Sequence, residues 1–159
     1  MFKYPILPSL LLLTLISCNP VGADIIEIPL KVGEISSAEG IDLKKGDKVM
    51  IWSKLETNDK DDSPAFKVRY HIESEGKSLL YDSLDVFKGE HQIKSKKTTE
   101  SYHTNGSSGK DSAIYYTEHK FEIENTQFIA PKDGKYNFDF KLTQDLSSFS
   151  KGLSIILRK

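Results

Sequence analysis

Apolar residues recur at every second position along most of this chain. In IIEIPLKV, Ile26, Ile28, Leu30 and Val32 share one parity, the period of a half-buried strand. Phe66, Val68, Tyr70 and Ile72 alternate with Lys67, Arg69, His71 and Glu73. The cleanest alternation is GKYNFDFKLT, where Tyr136, Phe138, Phe140 and Leu142 face one way and Lys135, Asn137, Asp139 and Lys141 the other. AIYYTEHKFEIEN aligns Tyr115, Thr117, His119, Phe121 and Ile123, and GLSIILRK closes the chain with Leu153, Ile155 and Leu157 in register. SLLYDSLDVF adds a strand after a Glu75-Gly76 turn. In KVMIWSKLE, Val49, Ile51 and Leu55 alternate with Met50 and Trp52, so both faces are apolar, as in a central strand covered on both sides.

Helical periodicity is nearly absent. TQDLSSFSKG (143–152) is the one stretch able to hold a helical turn, and its serines favour a loop. Seven to nine short strands separated by Gly and Asp turns predict an all-β fold, a single antiparallel β-sandwich of jelly-roll type whose first and last strands pair.

The first residues break the alternation. MFKYPILPSLLLLTLIS has one Lys near its start, an apolar middle and a small residue before Cys18, the layout of a secretory leader. Ile6 to Ile16 is too short to cross a bilayer and contains Pro8. Leu15-Ile16-Ser17-Cys18 resembles the lipobox of bacterial lipoproteins: an aliphatic residue, a tolerant position, a small residue and a cysteine. That resemblance implies cleavage before Cys18, a diacylglyceryl thioether on its sulfur and an acylated (palmitate-type) amino terminus. Two or more acyl chains hold a protein stably on a membrane. The expected organisation is therefore a signal peptide over 1–17, a short tether over 18–24 and a β-sandwich domain over 25–159.

Composition sharpens this picture. Cys18 is the only cysteine among 159 residues, so no internal disulfide can form and the domain must be held by its core. Without residues 1–17 the chain has 142 residues, 21 basic and 23 acidic, a net charge of −2. Nothing there predicts a nucleic-acid partner, which calls for a basic patch or stripe. A chain of this length forms one domain and buries roughly two-thirds of its unfolded surface.

Two segments carry a second resemblance. TQFIAPKDGKYNFDFKL (126–142) has the cadence F-x-A-P-x-x-G-x-Y-x-F, and Leu43, Gly46, Asp47, Val49 and Ile51 follow the pattern l-x-x-G-D-x-v-x-i. Both look like elements of extracellular jelly-roll modules such as bacterial pre-peptidase C-terminal and Golgi-dynamics domains, the first as their penultimate hairpin. The resemblance implies a binding or accessory module.

Candidate chemistry is sparse. Asn58, Asp59, Asp61 and Asp62 form an acidic cluster, but as an EF-hand it has Pro64 where Gly is needed and Tyr70 where Glu is needed. It reads as a solvated turn. His71, His91, His103 and His119 lack zinc-site spacing, and His119 shares the parity of Phe121 and Ile123. There is no Gly-x-Ser-x-Gly elbow, His-Glu-x-x-His motif or phosphate-cradling loop. No cofactor or metal is expected. KGEHQIKSKKTTESYHTNGSSGKDSA (88–113) is long and polar with five lysines. A solvated loop is the first expectation, and a long hairpin of 91–104 with 110–123 the alternative. In either form Lys94, Lys96, Lys97 and Tyr102 are the residues placed to meet an anionic partner such as a glycan or lipid headgroup.

The combined expectation is a lipid-anchored lipoprotein of the cell envelope acting as a non-catalytic binding or assembly module. Its partners would be the membrane through Cys18 and an envelope protein or glycan. It would lie at the outer membrane in a Gram-negative cell, facing the periplasm or the surface. The alternative is a small envelope hydrolase or carbohydrate-active enzyme on the same scaffold, marked by a deep pocket with paired carboxylates.

Overall fold

The computed structural model describes residues 21–58, 66–105, 111–144 and 150–159, with side chains at 58, from 102 to 116 and at 150 and 151 left undescribed. Nine strands appear in order: β1 (Asp24–Pro29), β2 (Ile35–Leu43), β3 (Lys48–Asn58), β4 (Lys67–Ser74), β5 (Lys77–Asp85), β6 (His91–Asn105), β7 (Asp111–Ile129), β8 (Gly134–Leu142) and β9 (Ser150–Arg158). They form a five-stranded sheet, β1-β9-β3-β7-β6, and a four-stranded sheet, β2-β8-β4-β5. The pairing is nested: β1 with β9, β2 with β8, β3 with β7, β4 with β5, all antiparallel. That is a long hairpin rolled up on itself, the jelly-roll wind, with β6 added at one edge.

The core lies where the inward faces of the two sheets meet. Val68, Tyr70 and Ile72 of β4 and Tyr136, Phe138, Phe140 and Leu142 of β8 point into it, against Val49, Ile51 and Leu55 of β3 and Ile155 and Leu157 of β9. Phe128 packs edge-on against Phe138 at 5.7 Å and against Tyr136 at 5.5 Å, the geometry aromatic quadrupoles prefer. As expected of a doubly covered strand, β3 buries Trp52 as well, on its outer face and outside the inter-sheet cluster.

Local chemistry sets the connections. Glu75 (φ 54°) and Gly76 (φ 70°) both adopt left-handed backbone, which gives the two-residue primed turn whose twist suits the β4–β5 hairpin. Gly89 is a close approach: a Cβ there would lie 2.0 Å from the Glu124 carbonyl oxygen. Asn125 anchors the same region, accepting from Ser53 Oγ at 2.5 Å and donating to the Asp85 and Lys88 carbonyls at 3.0 and 2.9 Å.

Two expectations change. The segment 88–113 is not a plain loop, because β6 pairs with β7 from His91↔Glu124 to Asn105↔Asp111. Its polar sequence suits an edge strand with one partner and wide solvent exposure. The 126–142 cadence is not a hairpin: β7 and β8 lie in different sheets, so Ala130 to Asp133 turns a corner between layers. The Tyr136 hydroxyl latches that corner by donating to the Lys132 carbonyl at 2.7 Å. The acidic positions Asp59, Asp61 and Asp62 fall outside the described residues.

Phe138→Ala should lower the unfolding free energy by about 3–5 kcal/mol. Urea titration would register this as a lower midpoint with an unchanged slope.

Candidate functional site

The outer face of the four-stranded sheet is ruled into cross-strand rows by its register. One row runs Ile35–Lys141–Arg69–Ser83, and the next Ser37–Asp139–His71–Tyr81. A β-bulge follows in β5: the register shifts between Ile72 and Glu73, so that Ser78 pairs with Glu73 and Leu79 is the extra residue. Strict alternation would put Leu79 on the same face as Tyr81; the bulge puts Ser78 there instead. Bulges commonly re-aim a side chain in this way.

A chain of hydrogen bonds crosses this face. Ser37 Oγ donates to Asp139 Oδ1 at 2.6 Å, Asp139 Oδ2 lies 3.4 Å from His71 Nδ1, and His71 Nε2 lies 2.9 Å from Ser78 Oγ. With Nδ1 protonated, the imidazole donates to Asp139 and accepts from Ser78. The Tyr81 ring is tilted beside the imidazole at 6.3 Å between centroids. Tyr81 and Ile35, on the two edge strands, are 66% and 64% exposed, large apolar groups left facing water. Together with Arg69, Lys141 and Ser78 they frame a shallow hollow of about 500 Å³, within the size range of small-ligand sites.

The arrangement has two chemical capacities. An exposed aromatic ring beside clustered donors and acceptors suits a ligand with an apolar face and a rim of hydroxyls. The order Ser78–His71–Asp139 is also that of a nucleophile, a base and the group orienting the base. The carboxylate of Glu73 on the same face accepts from Asn137 Nδ2 at 2.9 Å.

The lysines singled out in β6 do not all share one face. Lys94 sits at φ 52° within a bulge between Ile93 and Lys96, and its ammonium lies 3.1 Å from Glu122 Oε1. Lys96 pairs across the strands with Lys120, and Lys97 with His119, which puts Lys96 and Lys97 on opposite faces. Tyr102 is described only through its backbone, opposite Ile114. Two further histidines have ordinary partners: His91 Nδ1 is 2.9 Å from Glu124, and His119 Nε2 is 2.8 Å from Ser95 Oγ. Among the described residues no group of three or more His, Cys, Asp or Glu could hold a metal ion.

Alternation alone also overlooked a buried ion cluster on the outer face of the five-stranded sheet. Arg158 is 1% exposed; its Nη2 donates to Glu122 Oε2 at 2.6 Å and its Nε to Asp24 Oδ1 at 2.5 Å. The guanidinium carbon lies 4.6 Å from the Trp52 ring centroid, a cation–π contact. Burial alone would lower the Arg158 pKa, but hydrogen bonds to Asp24 and Glu122 outweigh it and hold the pKa above its ordinary value. The Arg158 hydrogen bond in turn holds Asp24 below the usual carboxylate value of 3.8. Asp24 opens β1 and Arg158 closes β9, so the cluster joins the two ends of the folded chain.

No family model, curated protein or solved structure matches this chain.

Glu122→Ala would leave Arg158 with only the half-exposed Asp24 carboxylate and should cost about 1–3 kcal/mol in urea unfolding, the range for leaving a buried donor without its partner. Asp24 works in the opposite pH direction from a histidine. Its folded pKa is depressed, so its contribution is complete above 3.8 and disappears as pH falls through the folded value. Asp24→Asn should therefore flatten the acid limb of the stability–pH curve and leave its neutral and alkaline shape unchanged.

Proposed function

We propose that this chain is a lipid-anchored recognition module of the cell envelope that binds an envelope glycan on the outer face of its four-stranded sheet. The lipobox Leu15–Cys18 supports the anchor. The observation that carries the binding reading is the exposed Tyr81 ring, in cross-strand register with His71 and Asp139 and rimmed by Arg69, Lys141 and Ser78. A sugar ring offers C–H groups to an aromatic face, and its hydroxyls both donate and accept. The hollow matches that pattern: a flat apolar surface flanked by basic groups, a carboxylate, an imidazole and hydroxyls. In a Gram-negative cell this module would sit at the outer membrane, facing the periplasm or the surface.

The order Ser78–His71–Asp139 favours one second reading, a small hydrolase with Ser78 as nucleophile. Against it stands the openness of the hollow to water, since nucleophilic catalysis on an acyl group is served by dry, preorganised oxyanion donors. A fluorophosphonate probe separates the two. Labelling that Ser78→Ala abolishes would favour the hydrolase, and an unlabelled chain that still binds glycan would favour recognition.

Two measurements test the main reading. Metabolic palmitate labelling should mark the wild type and not Cys18→Ser, and an unlabelled wild type would remove the anchor. Binding of the mature chain to purified envelope polysaccharide should fall by about tenfold or more in Tyr81→Ala, the loss expected for a buried aromatic anchor. Wild-type affinity in that variant would move the site elsewhere.

A further inference from the structure

The pole of the sandwich from which the tether leaves brings together exposed lysines and an exposed isoleucine. Ala23 and Lys159 exchange backbone hydrogen bonds, Ala23 N to Lys159 O at 2.7 Å and Lys159 N to Ala23 O at 2.9 Å. They fix where the chain enters the fold. Register places the same end of every neighbouring strand at this pole: Met50 lies opposite Arg158, and Lys48 opposite Ile129. The β2–β3 turn is tied to the β7–β8 corner by Gly46 N to Ala130 O at 2.8 Å and Ala130 N to Asp47 O at 2.9 Å.

Three acids at this pole, Asp47, Asp133 and Glu75, each have a partner. Asp47 accepts from Lys44 N at 2.7 Å and from Lys159 Nζ at 2.5 Å, and Asp133 accepts from Lys45 N at 2.7 Å. Glu75 pairs with Lys132 at 2.5 Å. The ammonium groups of Lys44, Lys45 and Lys48 are exposed and enter no salt bridge among the described residues. Beside Lys48, Ile129 is half exposed, one of the few large apolar side chains facing water. Basic groups around an exposed aliphatic side chain are the chemistry of a surface that rests on anionic headgroups.

We propose that this pole docks on an anionic bilayer surface, with Lys44, Lys45 and Lys48 at the headgroups and Ile129 dipping between them. The proposal rests on the lipid-anchor reading of Cys18. Ala23 lies five positions after Cys18, a reach of at most about 18 Å when extended. The pole is thus tethered within about two Debye lengths of the membrane at physiological salt. Docking there would hold the long axis of the sandwich upright and direct the opposite pole, with Val32 and Ile35, away from the bilayer.

The test uses the processed, lipidated chain in vesicles. Acylation blocks the only native thiol, so Ile129→Cys gives one site for an environment-sensitive fluorophore, and Val32→Cys provides a control at the far pole. The expected result is quenching of the position-129 probe by brominated lipid in phosphatidylcholine vesicles containing phosphatidylglycerol. It should be weak in phosphatidylcholine alone, lost in high salt, and absent at position 32. Each lysine at an anionic surface strengthens docking by roughly fivefold, so K44E/K45E/K48E should shift the docking equilibrium by roughly a hundredfold or more. Equal quenching of position 129 in both vesicle types, or in the triple variant, overturns the docking surface. A chain that labels at Cys18, or washes off the vesicles altogether, overturns the anchor on which the proposal rests. A fold lost in the triple variant would show in circular dichroism. The salt dependence of the wild type then decides alone: docking that high salt releases supports the proposal, and docking that persists in high salt overturns it.

Discussion

A rolled-up hairpin closes only if its two ends find each other, and in this protein that closure is the pairing of β1 with β9. Without it β1 would be a six-residue strand with one edge of the core open to water. The backbone ladder supplies the pairing, and the Arg158 guanidinium reinforces it by reaching Asp24 on the first strand and Glu122 on β7. One side chain near the C-terminus thus couples the first, last and seventh strands. Under the proposed lipid anchor, a pull on the chain ahead of β1 would be borne by this same closure.

Division of labour between the two sheets follows from their edges. The five-stranded sheet is extended by β6 and carries salt bridges on its outer face, including Lys54 with Glu27 at 2.8 Å and Lys120 with Glu56 at 2.9 Å. Exposed pairs of this kind contribute little to stability, but they occupy the polar groups of that face. The outer face of the four-stranded sheet is different. Its Arg69, Lys141 and Tyr81 stand around a hollow, and its hydrogen-bond chain runs sideways across the strands. That contrast supports the proposed recognition site on the smaller sheet.

Much of the architecture was legible in the amino-acid pattern because strand periodicity reports burial directly. Phe66 to Glu73 and Tyr136 to Leu142 alternate in the chain as they alternate between core and water. The doubly apolar stretch around Trp52 marked a strand central to its sheet, and pairing of the chain ends was also anticipated. The resemblance of Leu15–Cys18 to a lipobox rests on four adjacent residues alone and is independent of packing.

What the sequence could not determine lies where one residue changes the count. The bulge at Leu79 turns Ser78 toward His71, and the irregularity at Asn125 lets Phe121, Ile123 and Phe128 all face the core. A two-residue period cannot reveal either, because a bulge reverses parity only once a partner strand sets the register. Lys94, Lys96 and Lys97 are close in sequence, yet Lys97 turns to the face opposite Lys96, and at a third bulge Lys94 pairs with Glu122. Asp139, His71, Ser78 and Tyr81 span three strands, and Lys44, Lys48 and Ile129 meet only where two layers turn their corners. Composition and alternation determined that the chain makes strands and buries one face. Which side chains from distant strands stand together was decided by cross-strand register, which exists only after the sheets form.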